Sequence, residues 1–263
     1  MARTRKITVA TAAVVLTTSA LTTPAAAAKP PRCPLIFGHG GYPDNPGASL
    51  KDRIRQANNP SAVRHMRRSG AQGVEADVQL TKHGTKAVMW HNTTTNGLTG
   101  PRRAITDLWW STGDGNLRSR RISRGPYKGE KVYTLRAWLQ HVASVRMIAL
   151  LEVKPEAKRV LASKAHSAAA WRELSYPLLE RQDLQPIMVY STDPWIQNQL
   201  AKRHPSLLKG EHARWTDSVV WDEPPPGWKG NTHRWQSILK LRPISIMTNY
   251  PLEYRRWLEG RCD

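Results

Sequence analysis

Short apolar runs alternate with helix-periodic segments about eight times along this chain, and that alternation restricts the fold more than any other feature. The runs fall at 34–39, 74–80, 87–90, 147–153 and 187–190, with a weak one near 207–210 and two more at 218–221 and 244–248. Each has the length and the flanking Pro, Gly or polar residues of a buried strand. The run at 147–153, Met-Ile-Ala-Leu-Leu-Glu-Val, reads as a parallel strand covered on both faces. Helical spacing occupies 49–69, with an interruption expected at Pro60. It returns at 134–145 behind Thr134 as N-cap, then through about residue 179, at 193–202 and at 232–240. Strand followed by helix in this way predicts an α/β protein, a parallel sheet closed as a single (β/α)8 barrel. A doubly wound nucleotide fold is disfavoured because no Gly-x-Gly-x-x-Gly or Walker loop follows any run. Between 92 and 131 periodicity is lost, which predicts a long loop excursion after the third strand, the kind of segment that is functional or mobile.

Barrel enzymes place their chemistry at the C-terminal ends of strands. Here His39 closes the first run, Glu75 and Asp77 lie two apart on the second, His91 follows the third, and Glu152 and Lys154 end the fourth. Alternation puts Glu75 and Asp77 on one side of their strand. Two such acids repel and pay a desolvation cost unless something positive sits between them. With Glu152 as a third carboxylate, the oxygen donors suit a hard divalent cation, Mg²⁺ or Ca²⁺. Lys154 adds a point charge for a phosphate. Imidazole as a group titrates near neutral pH, and two histidines, His39 and His91, suit the acid and base of P–O cleavage. A glycoside would need only two carboxyls, so the set favours a phosphodiester. Taken singly, Glu152 and Lys154 would be an ordinary ion pair and either histidine a structural one; it is the joint pattern that points to chemistry. Zinc-ligand spacing and Gly-x-Ser-x-Gly are both missing, which leaves zinc and serine hydrolases without support.

Residues 1–28 open with Arg3, Arg5 and Lys6, continue with an Ala/Val/Thr/Leu run too short to span a bilayer comfortably, and end on Ala25 to Ala28. This predicts a signal peptide, a secreted product and one barrel domain over 29–263. Loss of those three cations takes the formal charge from +20 to +17. So basic a surface attracts anionic headgroups, wall polymers or phosphodiesters. Nucleic acid is not expected, because Lys and Arg are spread along the chain without a binding motif, Arg118 to Arg124 being the one dense cluster. The two cysteines, Cys33 and Cys262, are expected to pair in an exported protein and to bring the termini together. Tryptophan outnumbers phenylalanine eleven to one. Trp109, Trp110, Trp215 and Trp228 fall in expected loops, where they serve packing or form a lip toward acyl chains.

Several segments resemble, in order, the glycerophosphodiester phosphodiesterase family. They are Gly38-His39, Pro43-Asp44-Asn45, the block from Gly73 through Glu75, Asp77 and Thr81 to Gly84, Trp90-His91, Thr95-Asn96-Gly97, Tyr133-Thr134-Leu135, Leu151-Glu152-Val153-Lys154-Pro155 and Met247-Thr248-Asn249-Tyr250-Pro251. The resemblance implies a (β/α)8 barrel with metal on Glu75, Asp77 and Glu152. It further implies acid/base work by His39 and His91, phosphate contact by Lys154, and release of an alcohol and glycerol phosphate from a small or lipid-derived diester; a monomer is expected. Differences bear on the substrate: Gly40 stands where the family usually has Arg, Pro43-Asp44-Asn45-Pro46 replaces Pro-Glu-Asn-Thr, and Asn92 and Asn249 stand where Asp is common. Sphingomyelinase D-like phospholipases share the barrel and paired histidines and also lack that Arg, but carry Asp in place of Glu152. Lipid cleavage is therefore the second expectation, and an inactive barrel that binds anionic polymers the third.

Overall fold

The computed structural model describes residues 33–39, 58–95, 99–123, 127–207, 219–221 and 232–262. Strands β1 (Leu35–Gly38), β2 (Gly73–Leu80), β3 (Ala87–Met89), β4 (Ile148–Val153), β5 (Ile187–Tyr190), β6 (Val219–Trp221) and β7 (Ser245–Thr248) form one sheet. Its order is β5-β4-β2-β1-β7-β6, and all neighbours along that path are parallel. Helices are α1 (Pro60–Arg68), α2 (Leu135–Ser144), α3 (Lys158–Leu161), α4 (Ser167–Leu179), α5 (Pro194–Arg203), α6 (Thr232–Lys240) and α7 (Pro251–Leu258).

β2 lies between β1 and β4, and all eight of its residues are buried. Its even positions, Val74, Ala76, Val78 and Leu80, join Ala149, Leu151 and Val153 of β4 in the core shared with Trp138 and Leu139 of α2 and Leu174 of α4. Each fully buried Val or Leu there contributes about 1.5–3 kcal/mol. The odd positions Gly73, Glu75, Asp77 and Gln79 point the other way. Below the acids on that side, Phe37, Leu150, Met188, Tyr190 and Met247 form a small apolar cluster. Phe37 pairs in register with Gly73, and a Cβ at Gly73 would lie 2.3 Å from the Phe37 ring. Gly73→Ala is therefore expected to destabilise the fold by about 1–3 kcal/mol, read as a lower urea midpoint with an unchanged m-value.

Two expectations are corrected. The run at 87–90 is not a barrel strand: β3 pairs antiparallel with β2, with Val78 opposite Met89. Only residues 81–86 separate the two strands, and a parallel crossover needs roughly a dozen residues or more. At Pro60 a helix begins, with Asn58 and Asn59 non-helical before it, in keeping with the expected break there, and the proline takes the first-turn position where its missing N–H costs nothing; residues 49–57 lie outside the described residues. Near 207–210, Leu207 closes a 3-10 turn, Pro205–Leu207, rather than opening a strand, and 208–210 lie outside the described residues. Helix α7 was not expected from the sequence, although Pro251 in its first turn and the spacing of its buried Tyr254 and Leu258 give it a helical signature.

Thr134 caps α2 by accepting from Ala137 N–H at 3.2 Å. The described parts of the 92–131 excursion have no α-helix, only two 3-10 turns, and a core of their own around Trp90, Ile105, Leu108, Leu117 and Ile122. Cys33 and Cys262 form a disulfide, Cα atoms 5.0 Å apart across 229 residues of sequence.

Candidate metal and acid/base site

The parallel register sets Asp77 directly beside Glu152. Glu75, one inward position earlier, completes a group whose ligand oxygens all lie within 4.8 Å of one another. Glu75 and Asp77 are each 1% exposed, a burial that disfavours three ionised carboxylates unless cations share the space. Lys154 supplies a cation to the group: its Nζ sits 3.4 Å from Asp77 Oδ1 and 3.3 Å from Glu152 Oε1. Burial works against the Lys154 charge, but Asp77, Glu152 and Glu75 outweigh it and hold this ammonium above the ordinary lysine pKa. One lysine against three carboxylates, all with hard oxygen donors, leaves a group that could hold a divalent cation.

One histidine lies against this group and the other shares a cavity with its lysine. His39 follows the last residue of β1 and is 3% exposed. Its Nδ1 lies 2.7 Å from Asn249 Oδ1, and its Nε2 3.8 Å from Glu75 Oε2. An amide oxygen only accepts, so Nδ1 holds the proton in that contact and Nε2 is the nitrogen turned to the acids. His91 lies two residues past β3, with Nδ1 3.0 Å from Asn92 Oδ1. It lines a cavity of about 410 Å³ together with Asn92, Arg102, Lys154, Glu156 and Thr192. Glu75, Asp77, Glu152, Lys154 and His39 are thus linked by short contacts, and His91 shares a cavity with Lys154. A larger cavity, about 550 Å³, is lined by Leu35, Phe37, Ile148, Ile187 and Met188. It opens where strands begin and holds none of these groups, so chemistry selects the smaller one.

Four supporting residues escaped the sequence reading. Asn58 accepts from Asp77 N–H at 2.9 Å, and its amide reaches Asp77 Oδ2 at 3.4 Å. Gln79 donates to the carbonyls of Trp90 and Asn92, at 3.1 and 2.6 Å, and so grips the chain on both sides of His91. Thr192 donates to Glu152 Oε1 at 3.2 Å. Arg102 reaches the cavity from the excursion. For Gln79 a signal existed, since it is the next residue on the face of Glu75 and Asp77; Asn58, Thr192 and Arg102 have none. Gly40, Pro43, Asp44, Asn45, Asn96, Trp215 and Trp228 lie outside the described residues. Of the other two expected lip residues, Trp110 packs on the core of the excursion, and Trp109 meets His83 edge-on at 5.0 Å with Lys82 Nζ 5.1 Å from its ring.

Among solved structures, the chain is similar to a glycerophosphodiester phosphodiesterase from Agrobacterium tumefaciens, with a TM-score of 0.59 at 14% identity over 84% of this chain and 99% of that one. An Oleispira antarctica phosphodiesterase, solved with the product sn-glycerol-3-phosphate, gives 0.58 at 15% identity over 86% and 97%. The glycerophosphoryl diester phosphodiesterase domain of a Mycobacterium tuberculosis protein gives 0.56 at 13% identity over 85% and 98%. Likeness at these identities is one of fold, the α/β barrel of the TIM type. No curated protein sequence is significantly similar to the chain. The profile of the glycerophosphoryl diester phosphodiesterase family, however, matches residues 55–245. A span of that length includes β2, β3 and β4 with every acid of the cluster, and on it the chain belongs to the glycerophosphoryl diester phosphodiesterase family of phosphoric diester hydrolases.

Proposed function

We propose that this chain is an exported, metal-dependent phosphodiesterase that hydrolyses glycerophosphodiesters to an alcohol and glycerol phosphate. The observation that carries the reading is the group of Glu75, Asp77 and Glu152 with Lys154 between two of its members, His39 beside Glu75, and His91 in the cavity that Lys154 lines. Glu75, Asp77 and Glu152 would hold the ion, and Mg²⁺ or Ca²⁺ suits an all-oxygen donor set. A bound divalent cation supplies electrostatic stabilisation for charge developing on the phosphate oxygens. Lys154 contacts the same phosphate. His39 and His91 move protons at Nε2, since each has its Nδ1 against an asparagine oxygen. One imidazole takes a proton from the attacking oxygen and the other gives one to the leaving alcohol oxygen, so that water is added across the broken P–O bond. The likeness to the Oleispira enzyme, solved with sn-glycerol-3-phosphate, supports glycerol phosphate as the product.

Export is supported by the leader-like residues 1–28 and by the disulfide. The domain that acts is 29–263, a monomer whose basic surface suits peripheral attraction to anionic membrane or wall polymers. The test is product analysis on glycerophosphocholine, glycerophosphoethanolamine and lysophosphatidylcholine. Glycerol 3-phosphate is expected from the two deacylated diesters; faster choline release from the lysolipid would move the enzyme to the lipid-cleaving class. Dialysis against a chelator is expected to lower turnover roughly tenfold or more, with recovery on adding Mg²⁺ or Ca²⁺. Full activity in chelator would remove the metal from the reading.

A further inference from the structure

After Thr94 the chain leaves the cavity that His91 lines, and it comes back to it at Arg102. The intervening loop is pinned where it departs: Trp90 Nε1 donates to the Thr94 carbonyl at 3.0 Å, and Thr94 bridges to Ala104. Thr95, fully buried, holds the backbone on both sides of Arg102. Its hydroxyl donates to the Pro101 carbonyl and accepts from Arg103 N–H at 3.0 Å, while its own N–H donates to the Arg103 carbonyl at 2.8 Å. Arg102 is thus presented by a braced backbone although its side chain is exposed.

Neighbouring guanidiniums have structural work. Arg120 donates to the carbonyls of Thr99 and Gly115, at 2.9 and 2.6 Å, and Arg159 pairs with Asp107 at 2.7 Å. Arg102 makes no hydrogen bond or ion pair among the described residues, and no ion pair joins it to Glu156, which lines the same cavity. The other cation of that cavity, Lys154, is already shared between Asp77 and Glu152. A guanidinium is planar, keeps its charge, and offers paired donors that match two phosphate oxygens.

We infer that Arg102 is a substrate-binding residue that grips the non-bridging phosphate oxygens of the diester, and of the glycerol phosphate formed from it, from the excursion side of the cavity. This rests on the phosphodiesterase reading above and assigns phosphate recognition to a residue outside the strand-end set. The excursion then selects for an anion, while Lys154 remains partly committed to the acids.

The test is calorimetric titration of the whole protein with sn-glycerol 3-phosphate, alongside steady-state kinetics on glycerophosphocholine. Arg102→Ala is expected to weaken binding roughly ten- to a hundredfold, with the loss in kcat/KM falling mainly on KM. Arg102→Lys should restore part of it. Arg103→Ala removes the same charge from the adjacent exposed position and is expected to change binding less than about twofold. Equal effects of Arg102→Ala and Arg103→Ala would reduce Arg102 to one charge of a basic surface and overturn the inference, as would no measurable binding by the wild type. Arg102-dependent binding in a protein that cleaves no diester would overturn the hydrolase reading alone and leave the phosphate site standing.

Discussion

His39→Ala is expected to lower kcat on a glycerophosphodiester by about 10²–10⁴-fold while leaving the affinity for sn-glycerol 3-phosphate within a few-fold. The ring is 3% exposed, its Nδ1 is taken by Asn249 and its Nε2 faces Glu75. A side chain so held has one nitrogen with which to exchange protons near the acids, and alanine removes it without touching a carboxylate. Single-turnover kinetics together with product binding separates the outcomes. A variant that binds product but barely turns over fits an acid or base at position 39. A variant that keeps turnover within about threefold shows His39 to be a structural histidine, and one that loses binding and turnover together shows that the ring mainly props up the Glu75 side.

The second large effect is on stability. Replacing both Cys33 and Cys262 by serine is expected to cost about 5 kcal/mol, the chain-entropy value for a closed loop as long as the 229-residue separation here. Cys33 precedes β1 and Cys262 follows α7. The bond therefore staples the start of the central strand to the end of the last helix, while β1 pairs with β7 along four residues of register. Urea unfolding of the oxidised protein and of the double variant measures the difference. A loss below about 1 kcal/mol would mean that the unfolded chain is already restrained or that β1 and β7 hold the termini without help. Because both cysteines lie away from the acid cluster, activity at low temperature is expected to survive the change.

The acid pair, its third member and the lysine were legible because each depends on local backbone geometry. In a strand, residues two apart share a face whatever the strand packs against; this holds for Glu75 with Asp77 and for Glu152 with Lys154. The apolar residues between them are equally readable, since a parallel strand covered by helices needs hydrophobic side chains on its outer face. The direction of β3 was less so. An apolar stretch of three residues suits either a parallel or an antiparallel neighbour, and the shortness of the connection at 81–86 decides it.

The sequence by itself determined the alternation of strand and helix, the acids and lysine that come together, and the pair of cysteines. Tertiary structure decided how those residues are held. Asn249 is 210 positions from His39 yet lies against it, Asn58 is 19 positions from Asp77, and Phe37 fills the space that Gly73 leaves. It also decided that the excursion, irregular in sequence, returns Arg102 to the cavity of His91 and Lys154. The physical reason is one of range: side-chain alternation is imposed residue by residue by the backbone, whereas contacts between distant segments depend on strand register and on the path of loops, which no local pattern encodes.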